Sequence, residues 1–279
     1  MNGEWNLLIA STLLLIWGFP LVKIAKAWRG TSLGPTLLWI QFSWFYWLCL
    51  PALLILYPKL LLPFAYLGLI LPTCAFVSVL GARYPGLYAW NVLVVCGLAA
   101  VLLLPIAEQD LNSPDWRLDE LRSLFVGLIL LVGLLNYLPT RHWLATILFI
   151  GVQGCLLYDL HFGISPHDVR GELVGIYLGV SSAAWLATLR GHGPGPFTTP
   201  NRLWLAFRDR YGAFWALRVL EQTNHALKHA NWQARLSWFG FEDFKGEGTA
   251  PREAELMERL KSLLRRFIPG EGIRSNAGT

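Results

Sequence analysis

The chain has 279 residues, of which 54% are hydrophobic and only 15% are charged, and its formal net charge is +5. Such a low share of charged residues, together with long uncharged runs, argues against an ordinary soluble protein. The four cysteines all lie in apolar runs and form no Cys-x-x-Cys pair, so neither a disulfide framework nor a cysteine metal site is predicted.

Runs of about 17 to 25 apolar residues predict an all-α polytopic membrane protein with about seven transmembrane helices. The first run has Glu4 where a signal peptide carries basic residues, and no small-x-small cleavage site follows it. It is therefore predicted to be a retained span. The predicted spans lie near residues 5–23, 35–57, 60–81, 86–106, 121–138, 142–159 and 172–190.

An odd number of spans places the two ends of the chain on opposite sides of the membrane. Lys23, Lys26, Arg29, Arg83 and Arg141 then share one face with the basic C-terminal tail. Because Lys and Arg near span ends favour the cytoplasmic side, we expect the N-terminus outside and the C-terminus in the cytoplasm. The abundance of Arg over Lys, with frequent Leu, Gly, Ala and Trp, suggests a bacterial protein of the plasma (inner) membrane.

The predicted last span carries small residues at every fourth position, close to one helical turn apart. Lipid provides no hydrophobic drive between helices, and such a stripe lets two helix backbones approach closely. The stripe therefore predicts a helix-packing surface for other subunits of a membrane complex or for a second copy of the chain. Its members are Gly171, Gly175, Gly179, Ala183 and Ala187.

The middle of every predicted span lacks Asp, Glu, Lys, Arg and His. This pattern disfavours a proton relay, a voltage sensor and a haem held by two intramembrane histidines, and no cofactor is predicted. The uncharged polar residues inside the spans include Asn91, Asn136 and Gln153. They are predicted to form hydrogen bonds between helices, and the alternative is a polar path for a small solute.

The loop before the last span holds the densest group of possible metal ligands, namely Asp159, His161, His167 and Asp168. Imidazoles and carboxylates at the outer surface can bind a divalent metal ion or act as acid and base. Their spacing matches no zinc motif, and Asp168 also lies where it can bind the free N–H groups at the start of the last helix. A ligand site and a solvated loop remain alternatives.

Residues 191–200, GHGPGPFTTP, form a Gly/Pro linker, and residues 201–279 are predicted to be a small, mostly helical cytosolic domain. The tail holds most of the 23 basic residues, interleaved with acidic ones and without a stacking motif for bases. Its predicted partner is therefore the inner leaflet or an acidic cytosolic protein, and not nucleic acid.

Three helices are predicted in the tail: Asn201 to about Leu220, Arg218 to His229, and an amphipathic helix opened by Pro251. The segment SWFGF between them is predicted to be a short strand or a packed loop. On the second helix, Glu221, His225 and His229 share one face, so a metal site there is an alternative to a solvated face. The aromatic face of the first helix suits either an anionic membrane surface or a domain core, and it consists of Trp204, Phe207, Tyr211, Phe214 and Trp215.

Taken together, these patterns predict a scaffold, assembly factor or accessory subunit of a membrane complex, without evident catalytic machinery. Two alternatives stay open. One is a membrane enzyme with a metal or acid/base site in the outer loop 159–172. The other is a small-solute carrier.

Overall fold

The computed structural model of the protein describes residues 12, 15, 22, 31–82, 89–110, 116–163, 179, 199–242 and 249–267. The predicted first and last spans, and the linker up to residue 198, lie outside these ranges apart from isolated positions. The described helices are α1 (Gly34–Leu56), α2 (Leu61–Leu80), α3 (Cys96–Glu108), α4 (Glu120–Tyr137), α5 (Trp143–Phe162), α6 (Pro200–His229) and α7 (Thr249–Leu264). A 3₁₀ turn (Pro58–Leu60) precedes α2, a π-helix (Trp90–Val95) precedes α3, and the strands β1 (Arg235–Ser237) and β2 (Gly240–Glu242) precede α7.

Four of the described helices are long and apolar enough to cross a membrane: Gly34–Leu56, Pro58–Leu80, Glu120–Tyr137 and Trp143–Phe162. They coincide with the spans predicted near 35–57, 60–81, 121–138 and 142–159. The predicted span 86–106 corresponds to a shorter apolar helix, Val92–Glu108. The chain is therefore a mostly helical protein whose apolar helices indicate a membrane location, while the count of seven spans stays a prediction.

Helix α2 is the centre of the bundle, because it packs against α1, α3, α4 and α5. In its apolar stretch 61% of the residues are buried, against 22 to 28% in the other three long helices. Small residues make this central position possible, since a Cβ atom added at Gly68 would lie 2.8 Å from the Trp47 ring of α1. Polar side chains also bind across the bundle, as where Tyr66 donates a 2.6 Å hydrogen bond to the Leu102 carbonyl.

Successive helices of the bundle run in alternating directions, so that their ends gather at two faces. At one face Arg122 at the start of α4 forms a 2.7 Å ion pair with Glu108 at the end of α3. At the opposite face lie Ser32 and Leu33 before α1, Val79 to Ala82 at the end of α2, and the turn from Asn136 to Arg141 between α4 and α5. This second face, which we call the tail face, carries the C-terminal helices.

The C-terminal helices and the hairpin form one packed unit. Asn224 of α6 binds both the N–H and the carbonyl of Leu236, at 2.7 and 2.8 Å, and so fixes β1 to α6. The two strands pair antiparallel around a turn at Trp238 and Phe239, which is the form that the segment SWFGF takes. Leu260 and Leu264 of α7 are buried against α6. The two helices predicted at Asn201–Leu220 and Arg218–His229 correspond to the two helical halves of α6, but the break between them lies at Gly212 and not near residue 218.

Candidate functional site

The break in α6 lies where this helix meets the end of α4. Gly212 has φ 76° and ψ −177°, a backbone conformation open to glycine almost alone. Two residues after the break, the N–H of Phe214 donates to the side-chain oxygen of Asn136 at 2.9 Å. Asn136 therefore acts as a helix N-cap supplied by a different helix. Next to it, the Tyr137 hydroxyl donates to the Arg210 carbonyl at 3.2 Å.

Aromatic rings fill the space between α6, α7 and the tail face. The ring centroids of Phe207, Tyr211 and Trp215 lie 5.0, 5.2 and 5.3 Å from that of Phe267, which follows α7. All four side chains are buried, and Val79 and Ala82 of the bundle belong to the same apolar cluster. The aromatic face predicted for this helix is thus a core face, with the exception of Phe214, which is 52% exposed.

Hydrogen bonds tie the same rings to three separate parts of the chain. The Trp215 indole donates to the Val79 carbonyl at 3.0 Å, and the Tyr211 hydroxyl donates to the Phe267 carbonyl at 3.1 Å. The Tyr211 oxygen also lies 3.2 Å from the Ser32 hydroxyl, which itself donates to the Ala82 carbonyl at 2.9 Å. Because these groups are buried, water cannot take the place of a lost partner. Each broken bond would therefore leave an unsatisfied buried polar group, which lowers stability.

Burial raises the pKa of the Tyr211 phenol to about 12, against the opposing effects of the Ser32 hydroxyl and the Arg210 charge. The phenol ionises in the unfolded chain near pH 10 but in the folded protein only near pH 12. The buried neutral phenol therefore makes its full contribution to stability below about pH 10, and this contribution is lost as the pH rises towards 12. We expect Tyr211→Phe to lower stability at pH 8 by about 1 kcal/mol. Above about pH 10 the free energy of unfolding of the unmodified protein falls as the Tyr211 phenol ionises in the unfolded chain. We expect Tyr211→Phe to reduce the slope of this fall by up to about 1.4 kcal/mol per pH unit. Thermal unfolding of the two proteins between pH 8 and 11 measures both effects, and parallel curves would contradict this role of Tyr211.

A buried ion pair lies beside the aromatic cluster. The Arg208 guanidinium donates from Nε and Nη2 to the Asp209 carboxylate at 2.9 and 2.8 Å, and from Nη1 to the Trp238 carbonyl at 2.9 Å. Asp209 also accepts the backbone N–H of Arg141 at 3.3 Å, and the Trp238 indole donates to the Pro139 carbonyl at 2.8 Å. Arg208 and Asp209 are only 5% and 3% exposed. The pair therefore joins α6 and the hairpin to the turn between α4 and α5.

We call the whole contact region between the tail face and the C-terminal helices the junction. Asn136 forms a hydrogen bond between helices, as its place inside a predicted span indicates, whereas no sequence pattern marks Ser32, Asp209 or Trp238. The bonds that these three residues form with Ala82, Arg141 and Pro139 span 50 or more positions of the chain. The local signal for the ion pair is that Arg208 and Asp209 lie between the aromatic residues Phe207 and Tyr211.

Of the predicted metal ligands, Asp159 and His161 lie in the described part of the chain, whereas His167 and Asp168 lie outside it. His161 Nδ1 is 3.2 Å from the Leu118 carbonyl and 3.0 Å from the Ser123 hydroxyl. A carbonyl only accepts, so the Leu118 contact is a hydrogen bond in the tautomer that carries its proton on Nδ1, whereas the Ser123 hydroxyl can pair with Nδ1 in either tautomer. Within the described residues no three His, Cys, Asp or Glu side chains come together as a metal-binding group.

Of the small-residue stripe, the structure describes Gly179, while Gly171, Gly175, Ala183 and Ala187 lie outside the described residues. A Cβ atom added at Gly179 would overlap the Val152 side chain of α5. At this position the predicted last span therefore contacts the chain's own bundle at short range.

The residues of the predicted solute path lie at different depths. Asn136 is at the tail face, whereas Gln153 is ten residues into α5 from Trp143, about 15 Å along the helix. Gln153 is fully buried, and neither of its amide atoms has a hydrogen-bond partner in the described part of the molecule. Asn91 belongs to the π-helix Trp90–Val95. Asn136 and Gln153 do not share one polar site.

On α6, the rings of His225 and His229 lie 4.4 Å apart, and both side chains are exposed. Glu221 lies one turn earlier on the same face and is also exposed. No third described ligand joins the histidine pair. The arrangement is that of a solvated helix face.

Comparisons with models of known protein families, with curated proteins and with solved structures found no match.

Proposed function

We propose that this protein is a scaffold, assembly factor or accessory subunit of a membrane complex. The helical bundle anchors it in the plasma (inner) membrane of a bacterium, and the C-terminal helices face the cytoplasm. Its partners are other membrane protein subunits or a second copy of the chain, together with the lipid bilayer and the inner leaflet or an acidic cytosolic protein.

The junction is the observation that carries this proposal. Side chains from the start of α1, the end of α2 and the end of α4 all bind the C-terminal helices. If the C-terminal unit were connected to the bundle only by a flexible linker, none of these buried contacts would be needed. Holding it at a fixed position on a membrane bundle is what a scaffold requires.

The chemistry of the described spans supports the same proposal. Their ionisable Asp, Glu, Lys, Arg and His residues lie near the helix ends, as with Glu108, Arg122 and His161. Intramembrane charges are the usual sign of transport or catalysis in a membrane. The polar groups that the described spans do bury, such as Thr36 and Ser78, bind each other at 3.1 Å and serve packing.

The test is purification of the tagged full chain in a gentle detergent, with mass spectrometry of co-purifying proteins and elemental analysis of the same sample. We expect a partner in fixed stoichiometry that is lost when the junction is disrupted by Asp209→Ala. The matched control, Glu255→Ala, removes a carboxylate from an exposed ion pair and should retain the partner. A lone monomeric protein would overturn the proposal.

Packing of the predicted last span can be tested at Gly179. Leucine at this position has no room beside Val152, and overpacking typically costs about 1 to 3 kcal/mol. We expect Gly179→Leu to lower the thermal stability and the abundance of the protein. Gly151→Leu on α5 is the control, because a Cβ at Gly151 has no neighbour within 4 Å among the residues that the structure describes. Equal behaviour of the two variants would contradict close packing at Gly179.

The second candidate function is a membrane enzyme with its site in the loop 159–172. The observation that favours it is the position of His161 Nδ1, which lies within hydrogen-bond distance of the Leu118 carbonyl and the Ser123 hydroxyl; a contact of this kind orients the ring of a metal ligand or a general base. Zinc, iron or manganese in the purified protein, lost in the variant His161→Ala plus His167→Ala, would favour the enzyme. A metal-free protein with normal stability would count against this version.

A further inference from the structure

An open groove with a volume of about 670 Å³ runs between α6 and the end of α7. Its lining includes Phe214, Leu217 and Leu263, which are apolar, and Arg218 and Arg266, which are basic. Phe214 and Leu217 are 52% and 57% exposed, so the groove presents two large apolar side chains on its surface.

One end of the groove lies at the level where a span ends. Phe214 donates its backbone N–H to Asn136, and Asn136 is the penultimate residue of α4, which is long and apolar enough to cross a membrane. Arg218 is about one helical turn beyond Phe214. An apolar end at the boundary of the bundle is thus followed, roughly 6 Å further along α6, by positive charge.

The two arginines are available to bind an anion. Neither Arg218 nor Arg266 forms an ion pair or a hydrogen bond with any described residue. By contrast, Arg208, Arg122 and Arg259 all have carboxylate partners. Glu221 and His225 also line the groove, and both are exposed, so the single carboxylate there leaves an excess of positive charge.

We propose that this groove binds an anionic phospholipid of the adjoining leaflet. The headgroup phosphate lies between Arg218 and Arg266, and the beginning of the acyl chains contacts Phe214 and Leu217. Guanidinium groups bind phosphate oxygens through paired hydrogen bonds, and basic pockets beside spans are a recurrent form of lipid recognition. The proposal rests on the membrane placement proposed above, and it adds a lipid class and a site.

The test measures binding of phosphatidylglycerol, with phosphatidylcholine as the neutral comparison, to the purified full chain by native mass spectrometry. We expect Arg218→Gln plus Arg266→Gln to reduce phosphatidylglycerol affinity about tenfold or more, which is the loss of about 1.4 kcal/mol. Binding of phosphatidylcholine should not change. An excess of inorganic phosphate should displace little of the lipid, because phosphate lacks the acyl contacts.

The control variant is Arg202→Gln plus Arg235→Gln, which removes two exposed charges from α6 and β1 outside the groove. It should retain the affinity of the unmodified protein. Equal affinity of all three proteins, equal losses in both variants, or full displacement by phosphate would each overturn the proposal. If the groove variant is unstable, Arg218→Gln alone serves, since Arg218 is exposed. Lipid binding is measured on the isolated chain, so it is independent of whether a partner protein exists.

Discussion

Replacing Asp209 with alanine is expected to release the C-terminal helices from the bundle, with a loss of about 3 to 5 kcal/mol in stability. The reason is the burial of its partner, because Arg208 is 5% exposed and directs two donors at the Asp209 carboxylate. Alanine leaves the guanidinium buried without a counter-charge. It also removes the acceptor for the backbone N–H of Arg141 in the turn between α4 and α5.

Limited trypsin digestion of the detergent-purified protein measures the release. We expect cleavage within α6 in Asp209→Ala under conditions where the unmodified protein resists, together with a lower unfolding temperature. Glu255→Ala is the control, because the Glu255–Arg259 pair is 51% and 43% exposed and an exposed pair contributes within about 1 kcal/mol. Equal resistance of Asp209→Ala and Glu255→Ala would show that the buried pair does not hold the junction.

A double substitution separates the cost of an unpaired charge from the value of the pair. Arg208→Leu with Asp209→Leu removes both charges and fills the space with apolar atoms. Apolar replacements of buried pairs are often close to neutral, so the double variant should be more stable than Asp209→Ala alone. If the double variant is less stable than Asp209→Ala, the stabilisation from two hydrogen bonds exceeds the cost of desolvating the charged pair. These bonds run from Arg208 to the Trp238 carbonyl and from the Arg141 N–H to Asp209.

The bundle could be predicted from the sequence because long hydropathy runs report directly on helices of membrane-spanning length. The predicted spans 35–57 and 121–138 differ from Gly34–Leu56 and Glu120–Tyr137 by one residue at each end. What a hydropathy run does not contain is the identity of the neighbouring helix. The central position of α2 depends on close contacts such as Gly68 against Trp47, which join residues 21 apart in the chain.

The tail was predictable in its elements but not in its placement. The amphipathic period of α7 and the aromatic period of α6 both indicate helices. The spacing of Trp204 and Tyr211 indicates that they share a helix face. It does not indicate what this face contacts, so a membrane surface and a domain core are both compatible with the sequence. Burial of these rings against Val79 and Ala82 resolves the choice by long-range packing.

The junction could not be predicted because the bonds that join the C-terminal helices to the bundle connect residues far apart in the sequence. Asn136 and Phe214 are separated by 78 positions, and Ser32 and Tyr211 by 179. Gly212 lies inside a run that is helical by its pattern, and nothing local marks it as the point of a break. Asn136 stabilises this break, because its side chain accepts a hydrogen bond from an N–H in the first turn of the second half of α6.

Gly212→Ala is expected to weaken the junction by at least about 1 to 3 kcal/mol, the cost of holding a residue with a Cβ in this backbone conformation. A Cβ at Gly212 would also overlap the Asn136 side chain, so the cap on Phe214 is displaced as well. The unfolding temperature and the tryptic resistance of α6 measure the loss. Gly154→Ala on α5 is the control with the opposite expected sign, because a Cβ at Gly154 meets no described residue within 4 Å and alanine favours a helix.

A mutant cycle with Asn136→Ala tests whether the glycine and the cap act together. Asn136→Ala alone should cost about 0.5 to 2 kcal/mol, the usual value of a helix cap, whereas Asn136→Asp keeps the acceptor and should cost less. Because Gly212→Ala already displaces the Asn136 side chain, the double variant should lose less than the sum of the single losses. Strict additivity would mean that Gly212 matters only through its own backbone, and that α6 is held to α4 by the aromatic cluster and by Tyr137.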